Sequence, residues 1–162
     1  MKELQLTKGK VALVDDKDYA EVSQYQWYAT LRKRVWYAYR MIYPGDKTQM
    51  IFLHRVLLDP PEGMQVDHID GDGLNCTRAN MRSCTLAENT RNRRRPSTNT
   101  SGYKGVSWHK LRGKWIVWIG VNNRNKYLGL FESKQEAAQA YNDAALKHYG
   151  EFARLNVIGE TS

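Results

Sequence analysis

The sequence predicts an α+β chain made of two small modules, and three observations carry that prediction. Runs rich in aromatic and β-branched residues recur along the chain, clear helix starts stand at Thr85 and Ser133, and a stretch of arginines and small polar residues separates two different patterns. Two modules of this kind fit within 162 residues.

The elements follow in order. Residues 1–58 read as β-rich: "GKVALVDD" alternates briefly, and "YQWYATLRKRVWYAYRMI" has the make-up of two strands around a charged turn. "DPPEGM" (Asp59 to Met64) is a turn, because paired prolines stop regular structure. "IDGDGLN" supplies Gly71 and Gly73 for a tight reversal between short strands, with Asp70 and Asn75 in Asx-type turn roles. Thr85-Leu-Ala-Glu88 is a capping box, so a helix starts there and runs through Asn89 toward the arginines. "RRRPSTNTSG" (Arg93 to Gly102) marks the module boundary, with Pro96 ending the helix. The division is therefore a first module over 1–92, a basic linker over 93–101 and a second module over 102–157.

In the second module "YKGVSWH", "KWIVWIGV" and "KYLGLF" are three short strands, joined by the turns "KLRG" and "NNRN". Ser133-Lys-Gln-Glu136 opens a helix in which Ala138, Tyr141, Ala145 and Tyr149 recur at helical spacing, and Gly150 stands where a C-terminal cap belongs. The expectation is a three-stranded antiparallel sheet packed on one helix. On the middle strand Trp115, Val117, Ile119 and Val121 share a core face, while Lys114, Ile116, Trp118 and Gly120 share the other.

Composition narrows the function classes. Hydrophobic content of 41% and aromatic content of 11% describe a folded chain. No apolar run has the length of a membrane span and no signal-peptide core follows Met1, so the expectation is a cytoplasmic protein without a membrane partner. Lys and Arg number 25 against 17 acids, a net charge of +8 that favours a polyanionic partner. Four of the five residues in "RNRRR" (91–95) are arginine, a density that repels itself unless an anion compensates it. Cys76 and Cys84 are too few for four-thiolate zinc and are expected to be reduced.

The stretch "VDHIDGDGLNCTRANMRSCTLAEN" (66–89) concentrates the candidate chemistry. Asp67 and His68 are adjacent, so on a strand they point to opposite sides and do not enter one core together. A strand–turn–helix path brings Asn89 back beside that strand, where its amide oxygen joins the Asp67 carboxylate around one hard cation, an arrangement that suits Mg²⁺. His68 is then placed to take a proton from water as a general base. Alone, an Asp-His pair reads as well as a turn cap beside a surface acid; the spacing of its partners distinguishes it.

Asp67-His68, then Asn80 twelve positions after the His and Asn89 nine further on, resemble the HNH nuclease motif in its DH…N…N form. "VDHIDGDGLNCTRANMR" is similar to the phage and intron-encoded homing-endonuclease branch, with "FLHRVLL" upstream; the resemblance covers roughly 1–95 and is strongest over 50–92. It implies a ββα-metal nuclease domain with a β-rich N-terminal part. In that domain His68 is the general base and Asp67 a metal ligand. Asn80 holds the loop and the His, and Asn89 is a second metal ligand at a position that is His in many members. One divalent cation is implied, Mg²⁺ first and Mn²⁺ as the alternative, and the products carry 5′-phosphate and 3′-hydroxyl ends. Neither cysteine matches the zinc-knuckle pairs of some relatives, so no structural zinc is expected, and His54 reads as packing behind the site.

A second resemblance spans Tyr103 to Asn156. "YKGV", "GKW", "LGLF", "EAAQAY" and "LN" are similar to the landmarks of the Apetala/ethylene-response-factor DNA-binding domain. It implies a sheet lying in the major groove of double-stranded DNA, with Lys104, Ser107, Arg112, Lys114, Trp118, Gly120, Asn125 and Tyr127 on the DNA face and Tyr141 reaching a phosphate. Ser107, Trp118 and Gly120 replace residues that are charged in the plant proteins, so the plant sequence preference is not transferred. Arg91, Arg93, Arg94 and Arg95 are expected to follow the phosphate backbone or enter the minor groove.

Together these expectations describe a site-recognising DNA endonuclease of the homing or phage free-standing type. It would act in a bacterial or phage-infected cell without an obligate protein partner, nicking as a monomer or cutting both strands as a dimer. The alternatives are a restriction or defence nuclease of the same chemistry and a non-catalytic DNA-binding regulator. The intact Asp67, His68, Asn80 and Asn89 set argues against the regulator.

Overall fold

The computed structural model describes residues 1–93 and 98–159, and the chain divides into two compact units, Met1–Asn89 and Thr90–Ser162. It is a mixed α+β structure of several small antiparallel sheets and few helices. No helix among the described residues is long and apolar enough to cross a membrane.

In the first unit β1 (Lys2–Gln5) pairs antiparallel with β2 (Val11–Val14). The period-2 alternation buries Leu4, Ala12 and Val14. A short helix, α1 (Asp16–Val22), carries Asp16 and Asp18 in its first turn, where carboxylates favour the positive end of the helix dipole. Next come β3 (Tyr28–Arg32), β4 (Val35–Ile42) and β5 (Gln49–Phe52), a three-stranded antiparallel sheet in sequential order. The β3–β4 turn is Lys33-Arg34, both at positive φ (48° and 70°). α2 (Leu53–Leu58) buries Leu53 and Leu57, one turn apart, and stops at Asp59 in the left-handed region before the two prolines. β6 (Gln65–His68) and β7 (Met81–Cys84) then form an antiparallel ribbon, followed by α3 (Leu86–Arg91). Leu4, Val14, Val22, Trp27, Leu53, Val66 and Met81 meet in one apolar core.

One feature of this unit differs from the sequence expectation. Residues 1–58, read as β-rich, also contain α1 and α2; with seven and six residues each spans two turns or fewer, too short for a 3.6-residue period to stand out. In addition, β2 uses its second edge on the loop between β6 and β7: Leu13 N–H donates to Leu74 O, and Cys76 N–H donates to Leu13 O, both at 2.9 Å.

In the second unit β8 (Val106–His109), β9 (Lys114–Val121) and β10 (Arg124–Phe131) form an antiparallel sheet with β9 in the middle. The β9–β10 turn is Asn122-Asn123 at φ 50° and 59°, the residue type that best tolerates two successive left-handed positions after glycine. α4 (Lys134–Tyr149) starts at Ser133, whose hydroxyl accepts from the N–H groups of Gln135 and Glu136, and ends at Gly150 with φ 55°. Val106, Val117 and Ile119 of the sheet meet Ala137, Tyr141 and Ala145 of the helix. The approach is close enough that a Cβ on Gly105 would stand 2.1 Å from the Tyr141 ring. Tyr141 is thereby a core residue, only 3% exposed, and not the phosphate contact the family resemblance implied. Pro96 lies outside the described residues, and α3 ends at Arg91.

Candidate functional site

Asp67 and His68 sit side by side on β6 and both are buried, at 3% and 6% exposure. Their side chains leave opposite faces, so they share no common core, yet the two-stranded ribbon is covered on both sides and each is enclosed.

On one face, His68 meets an aromatic wall. Its ring lies edge-on to Tyr37 (centroids 6.0 Å apart) and to His54 (5.2 Å). Tyr37 comes from β4, and His54 is the second residue of α2. The Cys76 sulfur is 4.0 Å from His68 Nε2. Burial holds His68 below the ordinary imidazole value, opposed by the nearby carboxylates of Asp70, Asp67 and Asp72. A neutral imidazole at ordinary pH is a proton acceptor.

The loop after His68 is held by its own side chains. Asp70 Oδ1 accepts the Asp72 N–H (2.8 Å), and Asp72 Oδ1 accepts the Leu74 N–H (3.0 Å), two successive Asx turns. Asn80 ties the loop's ends together: its Nδ2 donates to Asn75 O (2.8 Å) and Asp70 Oδ1 (3.0 Å), and its Oδ1 accepts the Asp70 N–H (3.1 Å). Its backbone carbonyl accepts from Ile69, the residue after His68 (2.9 Å). Asn75 donates to Asp70 Oδ2 (2.8 Å) and accepts from the Thr77 hydroxyl (2.9 Å). Gly73 allows the loop to lie against β4, since a Cβ there would stand 2.5 Å from Trp36 O and from the Tyr37 ring.

On the other face, Arg82 stands directly across from Asp67 in the β6–β7 register, and its Nε and Nη2 converge on Asp67 Oδ2 at 2.9 and 2.8 Å. Gln65, two residues before Asp67, shares this face, and its Oε1 accepts from Asn89 Nδ2 at 2.8 Å. Asn89 thus comes back from α3 to the face that carries Asp67. The capping box that starts α3 is formed: Thr85 N–H donates to Glu88 Oε2 (2.8 Å), and Glu88 N–H donates to Thr85 Oγ1 (3.3 Å). Among the described residues no three His, Cys, Asp or Glu side chains are arranged to hold a metal ion. The donors here are one buried carboxylate and amide oxygens, hard ligands that fit a small divalent cation.

In the second unit, cross-strand register puts Ser107 opposite Ile116, Trp118 opposite Tyr127 and Gly120 opposite Asn125, all on the face away from α4. Trp118 and Tyr127 are 41% and 48% exposed, with ring centroids 5.2 Å apart. Lys114 Nζ pairs with Glu132 at 2.7 Å, and Arg112 lies exposed in the β8–β9 turn. Lys104 is engaged elsewhere: its Nζ donates to the backbone carbonyls of Arg91 (2.5 Å) and Arg93 (2.9 Å). Burial, helped by Arg154, lowers it to about 8. The Arg91 guanidinium lies 5.3 Å over the Tyr149 ring. Arg94 and Arg95 lie outside the described residues.

Sequence reasoning missed Arg82 and Tyr37. Arg82 was within reach of a pairing argument, because a hairpin through "IDGDGLN" sets it opposite Asp67. Tyr37 carried no signal: it is one tyrosine among many in an aromatic strand, brought to His68 only by tertiary packing.

Comparisons with known proteins agree with this geometry. The HNH endonuclease family model matches residues 59–91, which run from the turn after α2 through the β6–β7 ribbon to the end of α3. An uncharacterized HNH endonuclease of Acanthamoeba polyphaga mimivirus is 32% identical over 154 residues, covering 93% of this chain and 77% of its own. Protein 3.8 of Escherichia phage T7 is 35% identical over 95 residues, 59% of this chain and 78% of its own. An AP2-like ethylene-responsive transcription factor of Arabidopsis thaliana is 43% identical over 56 residues, 33% of this chain and 10% of its own, so the chain also carries an AP2/ERF-like domain. No solved structure matches. With a relative 32% identical across 93% of this chain and the family model falling on the ribbon that bears Asp67 and His68, the chain belongs to the HNH endonucleases and is a DNA nuclease.

Proposed function

We propose a site-recognising, metal-dependent DNA endonuclease of the homing or phage free-standing type, in which residues 1–92 cleave, 102–157 read double-stranded DNA, and 93–101 form a basic linker. The first module is then a ββα-metal domain built from β6, β7 and α3. The observation that carries this reading is the composition of the two faces of β6: a neutral, buried imidazole on one, and a carboxylate beside a returning asparagine on the other.

His68 takes a proton from the attacking water as general base. Asp67 and Asn89 would hold one divalent cation, Mg²⁺ or Mn²⁺, which when bound stabilises negative charge on the phosphate. Asn80 fixes the loop that follows His68 through its bonds to Asp70 and Asn75. Arg82 stays on Asp67 Oδ2 and keeps that carboxylate oriented. In the second module Ser107, Arg112, Lys114, Trp118, Asn125 and Tyr127 meet DNA, the Trp118–Tyr127 pair supplying stacking surface and Lys114 and Arg112 charge. Lys104 serves by holding the backbone of Arg91 and Arg93, and the arginines of 91–95 engage phosphates.

Supercoiled plasmid bearing a target site tests the reading. Wild type should convert it to nicked circles with Mg²⁺ and not with EDTA, and His68→Ala should lose activity by about 100-fold or more while still binding. Metal-dependent nicking by His68→Ala at the wild-type rate rejects the assigned base. Binding without cleavage by wild type favours the regulator.

A further inference from the structure

We propose that His54 is a positioning residue for His68: its ring is the fixed wall that sets the plane of the catalytic imidazole. The inference rests on His68 being the general base and adds a residue to which no role in the reaction is otherwise assigned.

The geometry is a closed aromatic cluster. His54 stacks on Phe52 with centroids 5.3 Å apart and planes 9° from parallel, so the orientation of its ring is set by the end of β5. From there it meets His68 edge to face, at 5.2 Å and 85°. Tyr37 closes the third side, T-shaped to both His54 (5.7 Å, 69°) and His68 (6.0 Å, 61°). An imidazole turns about its last side-chain bond with a soft, roughly two-fold preference, so its plane must be set by its neighbours. Perpendicular contacts on two sides do that, and such edge-to-face pairs are intrinsically favoured.

His54 makes no use of one ring nitrogen. Its Nδ1 is shielded from solvent and has no hydrogen-bond partner among the described residues, so what the ring contributes on that side is shape. It also remains uncharged: burial, then His68, then Arg55 bring it down to about 3. A charged neighbour would repel the imidazolium that His68 becomes once it has taken a proton; a neutral ring does not.

The test compares two apolar variants of the full chain. His54→Phe keeps a flat ring on Phe52, while His54→Leu keeps the bulk and loses the flat face. Plasmid cleavage with Mg²⁺ is measured under conditions where circular dichroism shows each variant folded. His54→Leu is expected to lower kcat about 10- to 100-fold with KM for DNA unchanged, and His54→Phe to stay within about threefold of wild type. A purely structural role would instead lower the melting temperature without splitting kcat from KM. A folded His54→Leu that cleaves at the wild-type kcat overturns the proposal, as does His54→Phe falling as far as His54→Leu. Full activity of His68→Ala would remove the base assignment beneath it. An inactive His68→Ala beside a fully active His54→Leu sinks only the positioning role.

Discussion

The Asp67–Arg82 pair concentrates the electrostatics of the site in one contact. Asp67 is almost fully enclosed, and the Arg82 side chain is 15% exposed, so little water screens them. Replacing Arg82 by Leu removes the guanidinium from a buried carboxylate and should cost about 3 kcal/mol. A divalent cation restores the missing positive charge, so Mg²⁺ should raise the melting temperature of Arg82→Leu more than that of wild type; equal shifts would separate the metal from Asp67. Protons act on the opposite face. His54 is lowered from 6.5 to about 3 and His68 is lowered too, so below pH 6.5 the unfolded chain takes up protons that the folded one refuses. Stability should therefore be full above about pH 6.5 and fall progressively toward about pH 3, and His54→Phe should flatten that fall in urea titrations. At this scale the sequence singled out Asp67, His68, Asn80 and Asn89 by a spacing that is a feature of the chain itself, and the fold gathers them around the β6–β7 ribbon. Arg82 and Tyr37 were not singled out, because one is defined by register and the other by packing.

At the scale of elements, the loop between β6 and β7 is closely constrained. Two Asx turns, three bonds from the Asn80 side chain and close contact with β4 leave it little freedom. Gly73→Ala would push a methyl group into the Trp36 carbonyl and the Tyr37 ring, and should destabilise the first unit by about 1–3 kcal/mol. Because Tyr37 also touches His68, the same variant should lower cleavage more than its melting temperature alone accounts for, which parallel melting and nicking assays would show. Element legibility followed length. β9 and α4, with eight and sixteen residues, announced themselves by period, whereas α1 and α2 did not. Both capping boxes mark helix starts, because a cap is a local hydrogen-bond pattern that tertiary contacts do not rewrite.

For the whole molecule the governing quantity is charge. A net +8 makes affinity for any DNA fall steeply with salt, through displacement of counterions. Lys114→Ala should reduce the slope of log K against log salt by about one and weaken binding similarly across sequences, whereas Trp118→Ala should weaken binding with the slope unchanged. Filter binding at several salt concentrations separates the two, and an unchanged slope for Lys114→Ala would take that lysine off the phosphates. The N-terminal ribbon shows a different kind of dependence. Asp15 Oδ2 accepts the Arg78 N–H at 2.7 Å across 63 positions of sequence, Asp18 grips the same arginine's guanidinium, and Leu13 pairs with both flanks of Asn75. The motif that identifies the family, residues 59–91, is thus recognisable by itself but not portable. Grafted onto another scaffold without residues 11–18, it would carry every signature residue and lack the edge against which its loop is cast.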